Sequence, residues 1–240
     1  MTADSIQHDA PRTAVDSANA LVARLRASER PCVLFVGHAM GGGVQRHMDD
    51  LAALLAPECH VLWAQPGPGA TLEIGARDDE GAFTAYFALP AEMPALLALL
   101  RGVGVARLHI HHLHGLPRAI LELIDALELP HDITLHDYYG MHPDGVWRPG
   151  DDAPTHASYL DDAIPPGGVP WDLSLAQWRD CFRELIARAD RVIAPSQDVA
   201  QRYRRMWPGV DIVVKPHPEA PAASLRAVAR IVAPGRLSPE

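Results

Sequence analysis

Lysine is all but missing from this chain: Lys215 is the only one in 240 residues, and acidic side chains outnumber lysine and arginine together by 30 to 21. A formal net charge of -9, with no basic stripe interleaved with aromatics, excludes the electrostatic footprint of a nucleic-acid-binding protein. Cysteine is scarce as well. The three cysteines, Cys32, Cys59 and Cys181, are odd in number and far apart, with Cys32 and Cys59 in or beside apolar runs, so reduced core thiols are expected rather than a disulfide framework. No apolar run is long enough to span a bilayer, and the polar start MTADSIQHDAPRTAVDSA carries no apolar segment behind basic residues. The cytoplasm is the expected compartment. One small basic cluster, Arg202, Arg204 and Arg205 with Tyr203 and Trp207, leaves peripheral contact with anionic lipid headgroups open. Also absent are a P-loop, which needs Gly-Lys-Ser/Thr at its end, and the dinucleotide fingerprint; the spacing here is Gly37-x-x-x-Gly41-Gly42-Gly43. The second apolar strand ends in Gln65 and Pro66 instead of the acid that would hold a ribose, which disfavours NAD.

What is present is ordinary globular material, 48% hydrophobic and 21% charged. Short apolar runs at Cys32 to Val36, His60 to Ala64, Ala106 to Ile110, Asp132 to Leu135, Arg191 to Ala194 and Ile212 to Lys215 alternate with helical patterns. The helices are expected near Ala18 to Ala27, from the glycines to Leu55, and over Pro94 to Arg101, Pro117 to Leu127, Leu173 to Ala189 and Ser196 to Met206, the last with Ser196 as N-cap. Two short β candidates, Thr71 to Ile74 and Ala82 to Phe87, follow a Pro-Gly-Pro-Gly turn. This alternation predicts an α/β fold, a Rossmann-like three-layer sandwich around a mostly parallel sheet. Residues 1–15 read as a polar tail, 16–225 as the α/β domain, and 226–240 as a linker with the first strand of something further. Between Gly140 and Asp172 the chain turns rich in proline and glycine, a long excursion of the functional kind.

The stretch GGGVQRHMDDLAALL from Gly41 to Leu55 is the most informative. Three glycines end an apolar strand and open a helix whose apolar positions, Val44, Met48, Leu51 and Leu55, recur at helical spacing. A helix start carries unpaired N–H groups and the positive dipole end, so Gly42 and Gly43 suit an anion such as a diphosphate. Ligands of open α/β sheets bind beyond the carboxyl ends of the strands. There the sequence places His111-His112-Leu113-His114 and His136-Asp137-Tyr138-Tyr139. Strand alternation sends His109 and His111 to one face and His112 to the other, and neither a cysteine nor a carboxylate pair completes a shell, so no metal is expected. His136, next to Asp137 and the long loop, is the strongest candidate for chemistry.

Together these segments resemble the N-terminal half of a GT-B glycosyltransferase of retaining family 4. The resemblance rests on Gly42-Gly43-Val44-Gln45-Arg46-His47, Leu108 to His112, Thr134 to Tyr139, Arg191 to Ser196, and Val232 to Glu240, which is similar to the opening of the family's donor-binding domain. It implies two facing domains, one for the acceptor and one for a nucleotide-sugar donor, with a hexose passed to a glycan or lipid-linked acceptor and no cofactor. Gly42 and Gly43 would then meet the donor diphosphate and His136 the transferred sugar. Asp137 would orient that histidine or meet an acceptor hydroxyl. Gln45, Arg46, His111 and His112 would line the acceptor side, with Tyr138 and Tyr139 as a stacking surface. It also implies that the donor domain is missing from this fragment, which is expected to be inactive or nearly so alone. The loop holding Trp147, His156 and Tyr159 lacks the cysteines that many relatives carry there, which leaves acceptor identity open. The other readings are a self-contained nucleotide-sugar or sugar-phosphate-binding module and another GT-B sugar-nucleotide enzyme.

Overall fold

Five consecutive residues buried on both faces make Cys32–Val36 the central strand, β1, of the computed structural model, which describes residues 14–78, 81–146 and 168–216. An unbroken apolar strand needs cover above and below, and alternation divides its side chains accordingly. Val33 and Phe35 pack against Met48, Leu51 and Leu55 of helix α2 (Gly42–Leu55), while Cys32, Leu34 and Val36 join the larger core on the other side. That core is built with α1 (Ala14–Ala27), α3 (Met93–Val103), α4 (Ile120–Leu127) and α5 (Leu175–Ala187). The predicted three layers are there.

The sheet has eight strands in the order β4-β3-β2-β1-β5-β6-β7-β8. The parallel members are β1, β2 (His60–Pro66), β5 (Val105–Ile110), β6 (His131–Thr134), β7 (Arg191–Ala194) and β8 (Ile212–Val214). The segments β3 (Leu72–Asp78) and β4 (Gly81–Phe87), expected as two short pieces, form an antiparallel hairpin of seven-residue strands that extends the edge beyond β2. Leu72, Ile74 and Ala76 face the core at every second position, which holds the hairpin in the sheet. From β1 the chain builds leftward through β2, then returns to build rightward from β5, so strand order reverses between β1 and β5. Crevices at such reversals take ligands.

Helix limits follow their caps. Ser174 and Gln177 form a reciprocal capping box that starts α5, two residues inside the predicted span. Ser196 caps α6 (Gln197–Met206) as predicted, accepting the Val199 amide at 3.2 Å. Cys32 and Cys59 are buried and unbridged, and burial pushes both thiols up to about 11. No described helix is long and apolar enough to cross a membrane. The predicted linker and strand at 226–240, and Trp147, His156 and Tyr159 of the long loop, lie outside the described residues.

Candidate active site

At the carboxyl end of β1 the chain turns into α2 through two glycines in the left-handed region, Gly41 at φ 81° and Gly42 at φ 76°. An L side chain would be strained at either position, and no protein atom lies within 4 Å of where a Cβ at Gly41, Gly42 or Gly43 would sit. Backbone conformation, not crowding, selects glycine here. The Gln45 side chain folds back to accept the Gly41 amide at 2.7 Å, so the donors left at the helix start are those of Gly42, Gly43 and Val44. Below the turn, the Met48 thioether occupies the place of a side chain at Gly37, which lets α2 pack tightly on β1.

Beside this turn two groups of imidazoles gather, one on each face of the sheet, from the ends of β1, β5 and β6 and from α2. The first contains His47, His109, His111 and His136. His109 is fully buried, bonds Thr134 Oγ1 through Nε2 at 2.8 Å, and leaves Nδ1 without a hydrogen-bond partner among the described residues. Its ring lies 3.9 Å from that of His111, centroid to centroid, with Phe35 against both. Burial, helped by the nearby His47 and Arg107, holds the His109 pKa well below the ordinary value, so the ring is neutral. His111 Nδ1 is 3.2 Å from His136 Nε2, and the His47 ring is 5.0 Å from that of His136. The second group contains His38, His112, His114 and Asp137. His112 Nδ1 accepts the His114 amide at 3.0 Å, which leaves Nε2 as the donor to Asp137 Oδ2 at 3.2 Å.

Alternation thus divides His109 and His111 from His112 as the sequence predicts. It also corrects one expectation. Asp137 does not orient His136: adjacent residues point to opposite faces, and the Asp137 carboxylate engages His112 and the Tyr139 amide instead. Tyr139 is not a stacking surface either. It is 4% exposed, packed between His112 at 4.3 Å and Trp178 at 4.9 Å, and its carbonyl accepts the Trp178 indole N–H. Tyr138 lies nearer the surface, its hydroxyl donating to Asp198 with Arg202 over the ring. Arg46 has an 84% exposed side chain paired with Asp50, apart from the histidines. Gln45 lines a cavity of about 90 Å³ with His38, Asp49, Trp63, Gln65 and Glu73. The basic cluster on α6 is dispersed: Tyr203 and Trp207 are buried, Arg202 pairs with Asp198, and Arg204 bonds the Ile212 carbonyl.

His47 was not singled out from the sequence, although a signal was available. It stands three residues after Val44 and one before Met48, on the margin of the apolar stripe of α2, and is buried with that stripe.

A mostly parallel sheet, with a glycine-opened helix start and a bank of imidazoles at its strand-order reversal, defines an α/β domain of Rossmann-like architecture. The model of Glycosyltransferase Family 4 matches residues 41–218, well over half of the chain, and the chain belongs to that family. No curated protein matches it.

Proposed function

We propose that this domain is the acceptor side of a retaining hexosyltransferase, which takes a nucleotide-sugar donor and passes the hexose to a glycan or lipid-linked acceptor. The observation that carries the reading is the meeting of α2 and the end of β6 at the reversal of strand order. His47, one turn past Gly43, brings its ring to 5.0 Å from that of His136, which supports a reading in which the helix start and this imidazole serve one ligand. In this reading the bond between the anomeric carbon and the diphosphate oxygen breaks, charge builds on the departing diphosphate, and the Gly42 and Gly43 amides meet it. His136 hydrogen-bonds the transferred sugar beside its oxocarbenium-like carbon. With Tyr139 in the core and Arg46 in solvent, acceptor recognition falls to the cavity of His38, Gln45, Asp49, Trp63, Gln65 and Glu73, whose acids and amides suit sugar hydroxyls and whose indole offers a ring face. A facing donor domain would complete the cleft, so this domain alone is expected to hold a donor weakly.

His136→Ala tests the assignment. Turnover of the full-length protein is expected to fall about 10²- to 10³-fold, the cost of removing one donor or acceptor at a reacting centre, with the thermal midpoint unchanged. Unaltered turnover removes His136 from the site. In the 240-residue chain, UDP or GDP is expected to move the Gly42 and Gly43 amide resonances first.

A further inference from the structure

Three imidazoles in the first histidine group bring ring nitrogens together with no carboxylate among them. His47 comes from α2, His111 from the end of β5 and His136 from the end of β6, and one ligand atom of each lies within 4.8 Å of the other two. The pair His111 Nδ1 and His136 Nε2 is at 3.2 Å. Two nitrogens bound tetrahedrally at 2.0–2.1 Å from one Zn²⁺ stand about 3.3 Å apart, so that edge of a coordination tetrahedron already has its length. Closing on the third nitrogen takes a small movement of the His47 side chain at the margin of a helix. The backing is rigid: Phe35 and His109 pack against His111, 4.8 and 3.9 Å between ring centroids.

We propose that His47, His111 and His136 bind a divalent first-row transition ion of the zinc class. An all-imidazole donor set suits Zn²⁺, Co²⁺, Ni²⁺ or Cu²⁺ and is wrong for Mg²⁺ or Ca²⁺, which require oxygen ligands. Three neutral ligands leave the full double charge on the ion. A fourth position is then filled by water or, more favourably, by an anionic oxygen, and half-exposed His136 is the side from which it arrives. The site stands on these three side chains and not on the transferase reading. It would nevertheless bear on that reading, because an ion on His136 occupies the nitrogen that a sugar hydroxyl would use.

The test uses the untagged 240-residue chain, stripped with a chelator and titrated with Zn²⁺ by calorimetry and with Co²⁺ by visible absorption. One equivalent of either ion, with the intense d–d bands of four- or five-coordinate Co²⁺, is expected. His47→Gln and His111→Gln are each expected to weaken binding by about 100-fold or more, beyond what outer-shell changes cost in metal sites. His114→Gln, on the other face, leaves binding as it was. Weak octahedral-type Co²⁺ absorption, or binding that survives His47→Gln, overturns the proposal. Should His111→Gln fail to fold, the wild-type Co²⁺ spectrum and His47→Gln decide alone. Titration with UDP in chelator reads the diphosphate contact separately, so loss of the metal site and loss of the nucleotide site appear in different experiments.

Discussion

The two ends of this sheet use polar side chains in opposite ways. At the amino end, Arg107 donates to both oxygens of fully buried Asp132 at 2.6 and 2.7 Å and to Asp190 at 3.0 Å, while Arg191 stands 3.8 Å from Asp132. The charges there are fixed and matched to one another. At the carboxyl end the same strands lead into His109, His111, His112 and His136, with Asp137 paired to His112 on one face of the sheet. There the groups are imidazoles, whose ring nitrogens can donate or accept a hydrogen bond. A buried ion pair that satisfies itself has nothing left to offer a ligand, whereas imidazoles at a strand-order reversal can donate or accept. In the proposed reading, structure belongs to one end and chemistry to the other.

The contrast is broken most severely by removing one member of the ion pair. Arg107→Ala strands Asp132 in the interior, and denaturant unfolding is expected to show a loss of about 3–5 kcal/mol. The double substitution Arg107→Met with Asp132→Leu is expected to cost far less, since apolar replacement of both partners removes the uncompensated charge. A single substitution as mild as the double one would mean that the amino end is not structural in this sense.

At the other end the glycine turn offers a smaller and sharper probe. Gly42→Ala forces a Cβ into a left-handed conformation, for about 1–2 kcal/mol of stability, and is expected to weaken diphosphate binding as the helix start rearranges. Gly43→Ala next door has no such penalty and is expected to be neutral or stabilising by up to about 1 kcal/mol. Equal losses at both positions, measured by thermal melts, would mean that the turn is held by something other than its backbone angles.

Most of the fold was legible in the sequence because its signals are local. The strand Cys32 to Val36 is an uninterrupted apolar run, Ser196 stands where an N-cap is needed, and alternation alone divides His109 and His111 from His112. The hairpin of β3 and β4 was underestimated because Glu73 and Gly75 dilute the apolar pattern on the outer positions, while pairing with β2 supplies what the pattern lacks. The site was legible only in part. That the end of β6 approaches α2 is a contact between residues some ninety positions apart, so His47 beside His136 is invisible to any local window. Tyr139 misleads for the same reason, since Trp178, on a distant helix, turns a strand-end aromatic into core. His136 and Asp137 are adjacent in sequence, yet alternation turns them to opposite faces, where Asp137 meets His112.

The finest distinction concerns the second histidine group, where His112 is paired with the Asp137 carboxylate. Burial, then His112 and its neighbours, holds His38 and His114 below the ordinary histidine pKa, and Asp137 opposes that by raising both. Their folded values therefore lie below the unfolded value of about 6.5, so on acidification the unfolded chain takes up these protons first. Stability carried by the two rings is complete above the unfolded pKa and declines as pH falls from there toward the folded values. Asp137→Asn removes the raising contribution while keeping the side chain's size, and NMR titration of the ring protons is expected to show His38 and His114 moving further down. The decline in stability then extends over a wider pH range on the acid side. His109, across the sheet and without Asp137 among its perturbing neighbours, is expected to stay neutral in both proteins. If His38 and His114 keep their titration midpoints in Asp137→Asn, the carboxylate holds His112 by geometry alone, and the electrostatic difference between the two faces is lost.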